Sequence, residues 1–99
     1  MQIIYAERFG ADLDAITDFI SVDNPQRAMT FVAEIWWVCT NLIIAYPRAG
    51  RTRPKFGADM HSFATHGVTI FYTFEPDLDR LKFYRVIGRQ DVSKPDFED

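Results

Sequence analysis

The chain has one cysteine, Cys39, in 99 residues. An internal disulfide is therefore excluded, and the sequence fits a reducing compartment. Long hydrophobic runs are missing too: the apolar stretches are too short and too interrupted to cross a bilayer. The opening MQIIYAERF has neither a basic start nor an apolar core, so it does not read as a signal peptide. A cytoplasmic location with no membrane partner is expected. There is no phosphate-cradling glycine loop, no CxxC and no HExxH. Two histidines, His61 and His66, flank a turn and find no third ligand at a familiar spacing, so neither a metal site nor a cofactor is expected. An overall positive charge is lacking as well. Eleven Lys and Arg against 14 Asp and Glu leave a net charge of −3, unlike a uniform nucleic-acid binder.

What is present is a strong core composition, 47% hydrophobic and 15% aromatic, enough for one small domain over residues 1–99 without staples. The charge is uneven along the chain. Residues 1–46 hold two basic and six acidic side chains, residues 47–94 nine basic and five acidic, and the last five residues add Asp96, Glu98 and Asp99. Arg48, Arg51, Arg53 and Lys55 fall within the stretch YPRAGRTRPKF with no acid among them. That concentration in an acidic chain calls for a physical reason.

The periodicity predicts the elements. QIIY at 2–5 reads as a strand, because Ile and Tyr favour pleated surfaces. Phe9, Leu13, Ile16 and Ile20 form one apolar helical stripe. Asp12 and Asp14 lie in its first turns, where the helix dipole favours negative charge. They read as a solvated face rather than a catalytic carboxylate pair. Asn24-Pro25 signals a second helix, with Asn as cap and Pro at the first position. Ala28, Phe31, Ile35, Val38, Leu42 and Ala45 then repeat at helical spacing until Pro47. Trp36 and Trp37 widen that apolar surface; being adjacent, they point about 100° apart, which leaves one for a partner. Cys39 sits among apolar neighbours and reads as an inert buried thiol.

After the basic stretch the period changes to two. A short strand near 60–64 is followed by Val68–Phe74 and Leu81–Ile87, joined through His66-Gly67 and through Glu75-Pro76-Asp77-Leu78-Asp79. The predicted class is α+β, in the order β-α-α-β-β-β, with a helical hairpin packed on a small, mainly antiparallel sheet. The last strand and its exit add Arg80, Lys82, Arg85, Arg89 and Lys94. If Leu81 and Phe83 face the core, Arg85 shares their face and needs a partner or an edge position. A sheet face rimmed by these groups would attract a polyanion or an acidic protein segment; solvated loops and ordinary strand edges are the alternative.

The order of these motifs resembles the RelE/ParE toxin superfamily of bacterial toxin–antitoxin modules. The resemblance is carried by Ala11-Asp12-Leu13-Asp14-Ala15-Ile16-Thr17-Asp18-Phe19-Ile20, by Asn24-Pro25 with Ala28 and Phe31, and by the helix exit Pro47-Arg48-Ala49-Gly50-Arg51. Met60-His61-Ser62-Phe63, Val68-Thr69-Ile70-Phe71-Tyr72 and Arg85-Val86-Ile87-Gly88-Arg89-Gln90-Asp91 complete it. His61 stands where the family pattern has arginine, the closing motif is one residue short and lacks its histidine, and no tyrosine follows Tyr84. The resemblance implies a cytoplasmic toxin bound by a cognate antitoxin, whose acidic, extended and partly helical tail folds as it binds. Arg48, Arg51, Arg53, Lys55, Arg85 and Arg89, with Trp36 and Trp37, would hold target or antitoxin. The ParE branch is the nearer one, and it implies growth arrest through binding of DNA gyrase, without sequence-specific nucleic-acid binding by the toxin itself. The RelE branch implies instead a ribosome-dependent mRNA endonuclease, with Arg51, Arg53, Lys55, His61 and Arg85 around the phosphate. A member that only binds antitoxin is the third reading.

Overall fold

The computed structural model describes residues 1–88 and 96–97. Strand β1 (Gln2–Tyr5) leads into helix α1 (Glu7–Asp23) and helix α2 (Pro25–Val38). Four further strands follow: β2 (Arg51–Thr52), β3 (Met60–Thr65), β4 (Val68–Glu75) and β5 (Arg80–Gly88). They form one five-stranded sheet in the order β1-β5-β4-β3-β2, in which only the β1–β5 pair is parallel. The α+β class and the helical hairpin on a mainly antiparallel sheet are as the periodicity predicts. The two-residue β2 is an addition, formed inside the basic stretch. No helix among the described residues is long and apolar enough to cross a membrane.

A single residue makes the helical hairpin. Asn24 leaves helical geometry at φ −152°, ψ 85°, its N–H still donates to Ile20 O at 2.9 Å, and its Oδ1 accepts from Arg27 N at 3.0 Å. It ends α1 and caps α2 at once, with Pro25 at the first helical position. One face of each helix then meets the sheet. Phe9, Leu13, Phe31, Ile35 and Val38 pack against Ile70, Tyr72, Leu81, Phe83 and Val86.

The α2 stripe does not run on to Leu42 and Ala45 as the period predicts. A π-helical turn spans Cys39–Ile43, with Ile44 N donating to Cys39 O at 3.0 Å. The extra residue per turn moves the buried positions to Cys39 and Ile43, leaving Leu42 half-buried and Ala45 exposed. Burial pushes the Cys39 thiol up to about 12, because desolvation penalises the thiolate. The thiol is therefore expected to resist iodoacetamide at pH 8 in the native protein and to label fully in urea. Its native pKa lies above the ordinary thiol value of 9.0, so the unfolded chain ionises first. Stability is unaffected by this group below pH 9 and falls as the pH climbs from 9 toward 12. Denaturant titrations across that range, with Cys39→Ala as the flatter reference, check the sign.

Tyr84 is one residue too many in β5. Phe71 pairs with Arg85 and Tyr72 with Phe83, so Tyr84 is bulged. The bulge reverses which side chains face the helices. Leu81 and Phe83 do so before it and Val86 after it, while Arg85 turns to the opposite, open face of the sheet. Arg85 therefore does not share the face of Leu81 and Phe83. The expectation of strict alternation fails at Tyr84, because a bulge costs one residue of register. The open face carries its own small apolar cluster of Met60, Phe71 and Ile87, flanked by Phe56, Tyr84 and Phe97.

Candidate functional site

Directly paired residues share a sheet face, and one transverse row across four strands reads Arg51, Ser62, Phe71, Arg85. Arginines thus stand at both ends of the open face, three strand spacings or about 14 Å apart. At the β2 end Arg53 leans onto the same face, its Nε donating to Ser62 Oγ at 2.8 Å. Arg51, Arg53 and Lys55 line one cleft there, and Lys55 Nζ lies 4.9 Å from the Phe56 ring centroid. The structure brings these three side chains together.

The connection that carries them is fixed by a tyrosine. The Tyr72 hydroxyl donates to Pro47 O at 2.8 Å and accepts from Gly50 N at 2.9 Å, which ties the helix exit to the middle of β4. Arg48, next to that tie, lies apart from the other cations, 5.1 Å from the Phe74 ring centroid. Phe74 packs against the helix-side core. Tyr72 is fully buried, and desolvation raises its pKa above the ordinary tyrosine value. Tyr72→Phe keeps the ring and leaves both Pro47 C=O and Gly50 N–H without a partner. A loss of about 1–3 kcal/mol in a urea titration is the expected result.

Arg85 is not a free cation. Its Nε and Nη2 donate to the two Asp12 carboxylate oxygens at 2.6 and 3.0 Å, and Nη1 donates to Asp96 O at 2.5 Å. Asp12 Oδ2 also accepts from Val86 N at 3.1 Å. The reason is topological. β1 covers β5 only from Arg80 to Phe83, and the chain then turns away into α1, with Ala6 N donating to Phe83 O. Beyond Phe83 the edge of β5 is open, and Asp12, one turn into α1, supplies the acceptor that a strand would have given. Both side chains are largely buried, at 13% and 16% exposure, and the Asp12 bonds raise the Arg85 pKa further. The sequence reading of Asp12 as a solvated, dipole-matched residue missed this pairing. The available signal was an arginine on a strand in need of an acid.

The remaining candidates are dispersed. His61 pairs across with Tyr72 on the helix side of the sheet, the face opposite Arg51 and Arg85. It is buried, stacks on the Tyr72 ring at 5.2 Å and 17°, and its Nδ1 is 2.9 Å from Asp59 O. Trp36 lies edge-on to Tyr5 at 5.3 Å and beside Phe9 at 5.7 Å. Trp37 is 56% exposed and, with Thr30, Ala33, Glu34 and His66, lines an apolar trough between α2 and the β3–β4 turn. His66 Nε2 contacts Glu34 there at 2.7 Å, and Arg27 also pairs with Glu34. Phe19, Val22 and Met29 are exposed by 75–81% on the outer helical surfaces. Of the other basic residues, Arg80 pairs with Glu75 and Lys82 lies 4.8 Å from the Tyr84 ring centroid, while Arg89 and Lys94 lie outside the described residues.

Solved structures supply a likeness of fold. A chain of the chromosomal ParDE toxin–antitoxin system from P. aeruginosa superposes with a TM-score of 0.66 at 18% identity, over 89% of this chain and 95% of that one. A comparison with curated proteins gives no match. Residues 3–92 match the family model of the ParE toxin of type II toxin–antitoxin systems, parDE. With that match over most of its length, the chain belongs to the ParE family of type II toxin–antitoxin toxins.

Proposed function

We propose that residues 1–99 act in the cytoplasm as a single toxin domain that inhibits DNA gyrase by protein–protein contact, and that a cognate antitoxin neutralises it. The observation that carries this reading is the separation of Arg51, Arg53 and Arg85 from His61, the imidazole that the nuclease reading would use. Cleaving a phosphodiester needs a general acid or base within about 3 Å of the reacting oxygens, beside the groups that hold the phosphate. His61 is buried on the helix side of the sheet, while Arg51, Arg53 and Arg85 lie on the other side. Arg85 has all three guanidinium nitrogens engaged by Asp12 and Asp96. That arrangement suits recognition rather than catalysis.

The surface suits a polypeptide partner. Exposed Phe19, Val22, Met29 and Trp37 offer apolar area on the helical hairpin, and the Arg51–Lys55 cleft offers positive charge at the sheet edge. An acidic, partly helical antitoxin tail would meet both. A net charge of −3 disfavours RNA or DNA as the direct ligand, because phosphate neutralisation drives such affinity. The test is a supercoiling assay with purified gyrase. Inhibition by the toxin, relieved by the antitoxin, is expected; unaffected supercoiling at excess toxin contradicts the reading.

A further inference from the structure

The chain already holds an acidic ligand on its cationic face, and the ligand is its own C-terminal segment. Asp96 Oδ2 accepts from Arg8 Nη1 at 2.8 Å, and Asp96 O accepts from Arg85 Nη1 at 2.5 Å. The next residue, Phe97, enters a ring of aromatics on the open side of the sheet, with centroids 5.2 Å from Phe71, 5.5 Å from Phe56 and 6.2 Å from Tyr84. Charge and aromatic contact are thus read from two consecutive residues. The segment lies past residue 92, where the match to the toxin family ends. The residues that receive it, Arg8, Phe56, Phe71, Tyr84 and Arg85, lie within the matched region.

We propose that the open sheet face is a recognition site for a carboxylate residue followed directly by an aromatic one. Asp96 and Phe97 fill the site within the free toxin, and an antitoxin segment of the same chemistry takes it on binding. The inference rests on the proposed antitoxin partnership and assigns the C-terminal pair the role of an intramolecular competitor. The occupant is fixed by what is on the surface. The Arg8 guanidinium selects a carboxylate, Arg85 Nη1 holds the backbone carbonyl of the same residue, and the gap among Phe56, Phe71 and Tyr84 selects a flat ring. An exposed pair such as Arg8–Asp96 holds weakly by itself, so the aromatic residue supplies the hold and its removal should free the site. A tethered competitor acts at a high effective concentration and lowers the apparent affinity of any external ligand.

The test uses the full chain with Phe97→Ala and a synthetic acetylated peptide, Pro-Asp-Phe-Glu-Asp, with the sequence of residues 95–99. Titration by NMR should show the variant binding the peptide at least about tenfold more tightly than the wild type does. The same peptide with alanine for phenylalanine should not bind. Equal binding to both proteins, or none to the variant, overturns the proposal. So does loss of the folded state in Phe97→Ala, since the ring would then be core and not an exchangeable ligand. A parallel titration with purified antitoxin separates the two ideas. If antitoxin binds and the peptide does not compete with it, the site assignment falls and the antitoxin partnership stands. If antitoxin fails to bind at all, the partnership falls with it.

Discussion

Replacing Asp12 by alanine is expected to lower the unfolding free energy by about 2–4 kcal/mol. Loss of a fully buried ion-pair partner costs ~3–5 kcal/mol, and the residual exposure of both side chains lowers the expected cost by about 1 kcal/mol. Two penalties combine. Arg85 is left with its Nε and Nη2 donors unmatched in a mostly dry position, and Val86 N–H loses its acceptor at the open edge of β5. For a domain of this size the midpoint of thermal unfolding should drop by roughly 10–25 °C. The double variant Asp12→Ala, Arg85→Ala should cost less than the sum of the two single changes, since removing both partners leaves no stranded charge. A change under about 0.5 kcal/mol for Asp12→Ala, the range of an exposed surface pair, would show that α1 is not tied to β5 in this way. The same contact predicts how Arg85→Ala reads in a functional assay: activity should fall with the folded fraction, since Arg85 is a structural cation.

Gly50→Ala is the second change with a large expected effect. A Cβ at this position would stand 2.5 Å from the Tyr72 hydroxyl oxygen and 2.9 Å from Ser62 O. Neither neighbour can retreat cheaply. The hydroxyl is held by Pro47 O, and Ser62 O is backbone of β3. The loop must therefore move, breaking the Gly50 N to Tyr72 bond and shifting Arg51 and Arg53 with it. A loss of about 2–4 kcal/mol combines overpacking with the lost hydrogen bonds. Gly10→Ala is the internal control. Nothing lies within 4 Å of the added carbon, and Gly10 is exposed within α1, so this change should stabilise by about 0.5–1 kcal/mol. Equilibrium denaturation of the two variants side by side separates a close-approach glycine from a merely flexible one.

The helices and long strands were legible because their burial patterns follow simple periods. Phe9, Leu13, Ile16 and Ile20 had to share a face, and Asn24-Pro25 had to interrupt the helix there. The features that the period cannot express are the ones that place the site. Tyr84 is a good strand residue, and nothing in RLKFYRVIG distinguishes a bulge from two more alternating positions. The π-helical turn after Val38 is equally silent, since Leu42 and Ile43 are both apolar. Strand β2 is two residues long within a run of arginines and prolines, and it exists because β3 offers it an edge. The basic stretch itself was plain. That Arg51, Arg53 and Lys55 stay together while Arg48 goes elsewhere depends on the Tyr72 tie at residues 47–50. Asp12 required the knowledge that β1 stops at Tyr5, which is a tertiary fact.

If this toxin acts as proposed, it grips a protein instead of cutting RNA. Inducing the gene without its antitoxin, and reading gyrase-dependent DNA damage signalling and mRNA cleavage in the same cells, tests it most directly. Strong DNA damage signalling with intact transcripts is the predicted result; transcripts cut during translation, with gyrase and DNA unaffected, would contradict it.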